Sequence, residues 1–179
     1  MLNLARTILR MLAADTSGAE IAEAAAVLPL MFMMLLGIFW FGQAFSLYGA
    51  ITRAAQEGAR AGAAPVCTTC AAGNRPALNA FNAVQAAMLA SKLDPNKAQW
   101  PATQPALNLC LTTGGSATCD GSVSSKVCVQ APVQLTNTGL GGAGVCGISV
   151  TFQYPFQFWL PFTSLNNQQI LMNASARDV

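Results

Sequence analysis

Between Glu23 and Arg53 this chain carries no charged residue, and Ala24 to Phe41 (AAAVLPLMFMMLLGIFWF) is almost unbroken hydrocarbon. About 20 apolar residues suffice to cross a bilayer core of roughly 30 Å. A run of this kind is expected to be a helix, because in lipid the backbone must satisfy its own hydrogen bonds. The chain is therefore read as organised around a membrane anchor. Its charged fraction of 9%, apolar fraction of 53% and mean hydropathy of +0.43 are largely accounted for by that one segment.

The first 18 residues carry Arg6 and Arg10 against a single acid, Asp15. Positive flanks stay on the cytoplasmic side, so residues 1–18 are expected inside as a basic leader and residues beyond about 50 outside. A secretory signal peptide is the competing reading. The apolar stretch is too long for a signal core of roughly 7–15 residues and has no clean small-x-small stop. The expected division is a leader (1–18), a long helix (19–64; 24–48 in the membrane, 49–64 beyond it) and an outer α+β domain (65–179). At 1.5 Å per residue, Ala19 to Ala64 would extend about 69 Å, so the distal turns must leave the membrane or pack on something. Pro65 is placed to end the helix. Pro29 removes one helix hydrogen bond and tends to bend the helix there.

Several function classes are thin. Histidine is absent, which removes the commonest general base and metal ligand. No paired carboxylates, nucleophile–base pair or phosphate-binding Walker sequence is present, so no catalytic residue, cofactor or metal is assigned and an enzyme is not expected. A net charge of +2 without any Lys/Arg cluster gives nothing to track phosphates, so nucleic acid is not an expected partner. Gly139-x-Gly141-x-x-Gly144 matches a dinucleotide fingerprint in letters only, since a β pattern and not a helix follows it.

The six cysteines, Cys67, Cys70, Cys110, Cys119, Cys128 and Cys146, all follow the anchor. An even count on one side of a membrane points to disulfides in an oxidising compartment. A four-thiolate zinc site is the alternative, but only one C-x2-C pair is present. Cys67-x-x-Cys70 as a redox pair lacks the cations or helix terminus that would activate a thiolate; Arg75 stands alone. Strand alternation allows a Cys110–Cys128 bridge, with Cys119 competing for either.

The outer domain is expected to be α+β. Pro76 to Leu93 has helical spacing, with apolar residues at 78, 81, 84, 88 and 89. After Asp94, period-2 patterns appear at Leu107–Leu111, Val127–Leu135, Val150–Phe162 and Ile170–Ala176. About four antiparallel strands with one apolar face need a cover, which the two helices supply. Pro155 and Pro161 should put the third strand at an edge or break it. The aromatic row Phe152, Tyr154, Phe156, Phe158 and Phe162 is first a core face; stacking on a ligand is the minor alternative. Trp159, out of phase, is the better surface contact.

Three features bear on assembly. Gly18-Ala19 followed by Glu23 gives a basic leader ending at glycine with an acid five residues on. A carboxylate in lipid is costly unless paired; the alternative is that Glu20 and Glu23 simply favour the first helical turn. Gly42, Ser46, Ala50, Ala54, Gly58 and Gly62 recur every fourth residue and form a small-residue stripe where another helix, or the chain's own sheet, can approach closely. Arg53, Glu57 and Arg60 form an exposed ladder.

The stretch GAEIAEAAAVLPLMFMMLLGIFWFGQAF, followed by ITRAAQEGARAGA, resembles the TadE-like family of pilin-like membrane proteins from tight-adherence (Flp-type) pilus systems. The matching residues are Gly18, Glu23, Leu28-Pro29 and Ala55-Gln56-Glu57-Gly58-Ala59-Arg60. Ala24 departs from the family, which usually has an aromatic residue there, and six cysteines exceed its simpler members. The resemblance implies a pilin-like fold, cleavage between Gly18 and Ala19, and Glu23 pairing with a neighbouring subunit's new α-amino group. It also implies other pilin-like subunits or copies of the same chain and a pilus assembly platform as partners. Location would be the bacterial inner membrane, with the outer domain periplasmic or extracellular, or in a surface filament. A membrane-anchored binding or scaffold domain that never enters a filament is the other class.

Overall fold

The computed structural model describes residues 16–64, 75–110, 115–121, 126–135, 145–157 and 169–179. The leader, Pro65, Cys67, Cys70, Leu111, the glycine loop at 139–144, Phe158, Trp159, Leu160, Pro161 and Phe162 lie at least in part outside them. Helix α1 runs Thr16–Ala63, with Pro29 inside it. The chain divides into two units, Met1–Gln43 and Ala44–Val179. To the described residues the first contributes only residues 16–43 of α1.

The second unit is an α+β domain. Helix α2 is Pro76–Ala90, with Pro76 in its first turn where a missing N–H costs nothing. It stops at Lys92, whose φ is +58°. Lys92 N–H donates to Leu89 O and Leu93 N–H to Met88 O, a Schellman closure that folds Leu93 back onto the core. A short 3-10 turn, Pro95–Lys97, is capped by the Asp94 side chain, which accepts from Asn96 N–H at 2.9 Å. Among the described residues five strands follow: β1 Leu107–Asn108, β2 Ser116–Ala117, β3 Cys128–Leu135, β4 Val145–Gln157 and β5 Gln169–Asp178. They form an antiparallel β1-β2 pair and an antiparallel sheet in the order β3-β4-β5.

The core lies between the helices and one face of the large sheet. Ile51, Ala54, Ala55 and Ala59 of α1 and Ala77, Ala80, Val84 and Met88 of α2 close over Ile148, Val150, Phe152 and Tyr154 of β4. Of the aromatic row, Phe152, Tyr154 and Phe156 are buried core residues. The buried face of α2 is rotated from the expected one: Ala77 and Ala80 are buried while Leu78 and Leu89 are exposed. The reason is close approach. The helix meets Gly58 and Gly62 of α1 through Ala80 and Val84, which sets the turn of its buried face.

Two further expectations are corrected. The apolar residues of β3 do not share one face, because the register with β4 slips by one residue between Gln130 and Val133. A one-residue slip turns every later side chain over. Val129 therefore joins the helix-covered core, whereas Val133 joins a second cluster with Leu107 and Ala117. The Pro155 strand is also central and unbroken, paired with β3 at one end and with β5 throughout. Proline is tolerated because pairing with β3 ends at Thr151. Gln153 exchanges backbone hydrogen bonds with Gln99 on that side, and two residues on, Pro155 presents its missing N–H to the same side beyond that last bridge.

Candidate functional site

In the first unit, α1 is apolar all round. Its most apolar 18-residue window has a mean hydropathy of 2.2 and is buried nowhere in the chain. Phe32, Met33, Leu35, Ile38, Phe39 and Phe41 point in every direction and are all more than half exposed. A globular surface helix keeps one polar face; a helix lacking one is built for a hydrocarbon surrounding. Glu23 is exposed at the start of this segment, and among the described residues its side chain has no hydrogen bond or ion pair. Gly18 has open space where a side chain would stand, as does Gly42.

In the second unit the same helix has a buried face. Of the small-residue stripe, Ser46 is exposed and Ala50 half-buried, whereas Ala54, Gly58 and Gly62 are buried. A Cβ on Gly58 would stand on Val84 Cγ2 and 3.1 Å from Ala80 O. A Cβ on Gly62 would meet Ile148 Cδ1, with Ala80 Cβ at 3.1 Å and Pro76 O at 3.2 Å. The distal stripe thus seats the chain's own α2 and β4. The run Ala55-Gln56-Glu57-Gly58-Ala59-Arg60 sorts the same way: Ala55, Gly58 and Ala59 are buried, and Gln56, Glu57 and Arg60 face solvent. Glu57 and Arg60 stand 3.8 Å apart as an exposed pair, worth little to stability.

Residues 18–60 match the family model of TadE-like proteins. The resemblance read from the motifs is thereby borne out over this stretch, which begins at Gly18 and ends at Arg60. No curated protein and no solved structure matches the chain. The TadE-like segment joins the apolar turns to the buried small residues, and its second motif is explained by packing: small side chains let α2 and β4 approach, and polar ones line the outer face.

Among the described residues two disulfides brace the outer domain, Cys119–Cys128 and Cys110–Cys146, with Cα–Cα separations of 4.9 Å and 5.6 Å. Cys128 takes Cys119, the competitor, because Asp120 N–H donates to Val129 O and lays that loop beside β3. Cys110 N–H donates to Pro132 O. That places Cys110 alongside the part of β3 where Gln134 faces Cys146. Cys67 and Cys70 lie outside the described residues.

The polar face of the sheet was not singled out from the sequence. Ser149, Thr151 and Gln153 of β4 stand opposite Arg177, Ser175 and Asn173 of β5. With Pro101, Thr103, Gln104 and Pro105 they line a groove of about 330 Å³. The signal was present: the polar residues of both strands alternate with their core residues. Gln130 extends the polar row onto β3, and its amide donates to Pro105 O and to Ala117 O. A second cavity, of about 410 Å³, includes Asn96, Lys97, Gln99, Tyr154 and Gln157 in its lining. Tyr154 Oη accepts a hydrogen bond from Asp94 N–H at 3.2 Å. Burial pushes its phenol above the ordinary value of 10. Neither cavity gathers a nucleophile with a base, and among the described residues no group of three or more His, Cys, Asp or Glu could hold a metal ion.

Proposed function

We propose that this chain is a pilin-like membrane protein acting in the assembly, initiation or structure of a tight-adherence type surface pilus. The observation that carries this reading is the coincidence of a TadE-like segment with a helix exposed and apolar on all sides. Such a helix is suited first to a bilayer and then to other helices like it. In this reading the N-terminus stays cytoplasmic, the disulfide-braced domain lies outside the inner membrane, and the leader is cut after Gly18. Ala19 then becomes the first residue, and Glu23 pairs with the α-amino group of a neighbouring subunit. Gly42, Ser46 and Ala50 are the part of the small-residue stripe left for a second helix. A deletion strain with wild-type pili would overturn the proposal, whereas loss or shortening of pili supports it. N-terminal sequencing of the membrane-extracted protein reads the processing step directly, with Ala19 expected.

A second reading is an anchored scaffold that never enters a filament. The observation favouring it is that Ala54, Gly58 and Gly62 are occupied by the chain's own domain. An intact Met1 on the mature protein, with the chain absent from sheared pili, would select it. Recovery as the main component of those pili would make it the repeating subunit instead.

A further inference from the structure

We propose that the outer edge of β5 is a docking surface for β5 of a second copy of this chain, joined antiparallel about a twofold axis at Asn173. Backbone parity shows that alternate residues of β5 turn their N–H and C=O groups outward. Gln153 and Gln99 exchange both backbone hydrogen bonds, so the backbone groups of Gln153 face away from β5. Its partner Asn173 therefore points its own N–H and C=O away from β4, and so do Leu171, Ser175 and Arg177 at the same phase. Among the described residues, no hydrogen bond outside the β4 ladder reaches this row. The opposite edge of the sheet is covered: Leu109 bridges Val133, and the N–H groups of Cys110 and Asp120 donate to Pro132 O and Val129 O.

Monomeric proteins blunt an exposed edge with proline, charged side chains, a bulge or shortness. β5 carries charge only at its last two positions, Arg177 and Asp178, and has none of the other devices. It is ten residues long, its sequence QILMNASARD holds no proline or lysine, and its register with β4 is continuous from Ile148–Asp178 to Gln157–Gln169.

The side chains select the occupant. With Asn173 opposite Asn173 of the copy, Met172 faces Ala174, Ile170 faces Ala176, Leu171 faces Ser175 and Gln169 faces Arg177. Each large apolar residue of one strand covers a small residue of the other, and no like charges oppose. Ile170 and Leu171, 48% and 42% exposed in the single chain, would both gain a cross-strand neighbour. Shifting the twofold axis to Ala174 sets Ile170 against Asp178, and shifting it to Ser175 sets Met172 against Asp178. The Asn173 register is thus the long overlap without an apolar–acid pair. It would make about ten interchain hydrogen bonds and one continuous six-stranded sheet.

The test uses the full chain in detergent micelles. Asn173→Cys should give a covalent dimer on mild oxidation, and an equimolar mixture of Leu171→Cys and Ser175→Cys should give a mixed dimer in excess of either self-dimer. Asn173→Pro removes an N–H that the chain's own sheet does not use, and should weaken dimerisation tenfold or more in sedimentation equilibrium. A wild-type chain that stays monomeric, an Asn173→Cys chain that does not cross-link, or an Asn173→Pro dimer as tight as wild type would each overturn the proposal. The cysteine variants do not depend on how well the proline variant folds.

Discussion

Gly58 faces Val84 so closely that a single added methyl group would clash with Val84 Cγ2 and stand 3.1 Å from the carbonyl oxygen of Ala80. Val84 can turn, but the Ala80 carbonyl belongs to the α2 backbone and cannot. Gly58→Ala is therefore expected to destabilise the outer domain by about 1–2 kcal/mol, overpacking outweighing the gain of about 1 kcal/mol in helix propensity. Gly49 lies on the same helix with open space around it. Gly49→Ala should stabilise, by up to about 1 kcal/mol. Denaturant unfolding of the two variants should move in opposite directions; movement together would show that the α1–α2 contact does not limit stability.

This pair of glycines shows what the sequence discloses and what it withholds. The period of four through Gly42 and Gly62 announces a close approach, because only small side chains permit one. It does not say what approaches, since the chain's own α2 and another molecule's helix leave the same trace. The apolar run 24–41 is legible because its length and its lack of charge are those a bilayer core would require. The alternation from Val150 to Phe156 is legible because β4 is regular. The slip at Gln130–Val133 was not, since a bulge changes which side later residues face without changing their letters. The polar groove was visible only as the complement of the core pattern. The Cys110–Cys146 bridge depends on contacts between segments far apart in the chain, which spacing does not encode.

The two disulfides close loops of different length, with sequence separations of 9 for Cys119–Cys128 and 36 for Cys110–Cys146. In the chain-entropy account, closing them restricts the unfolded chain by about 3 and about 4 kcal/mol. Cys110→Ser is therefore expected to lower the thermal midpoint of the outer domain more than Cys119→Ser. Reductant should bring the wild type below either single variant. Equal midpoints with and without reductant would show that the bridges do not set stability.

Tyr154 predicts an alkaline limit. Burial raises its folded-state pKa above 10, so the neutral phenol is the form that the fold accommodates. Its contribution is fully present below pH 10 and is lost as pH rises through the folded-state value. Tyr154→Phe should flatten that part of the pH–stability curve. At neutral pH it should cost about 1 kcal/mol, because Asp94 N–H loses its acceptor. Phenolate absorbance in a Tyr48→Phe background isolates this group, and a midpoint at or below 10 would contradict the assignment.

Gln130 is fully buried, and its amide ties three parts of the domain together: β3, the segment ending at Pro105, and β2 through Ala117 O. Its Oε1 has no partner among the described residues. Replacing the side chain with leucine removes that unsatisfied acceptor but strands the two carbonyl oxygens, at 3.1 Å and 2.8 Å, that now receive its N–H groups. Losing both hydrogen bonds, the one to Ala117 O buried and the one to Pro105 O partly so, should outweigh the gain, for a net cost of about 1–3 kcal/mol. Gln130→Glu should cost more, since a buried carboxylate cannot donate to either carbonyl. Pro105 also lines the polar groove, so Gln130→Leu should speed amide hydrogen exchange through residues 102–108 while leaving α2 protected. Uniform acceleration across the domain would mean that Gln130 supports the whole fold and not this wall.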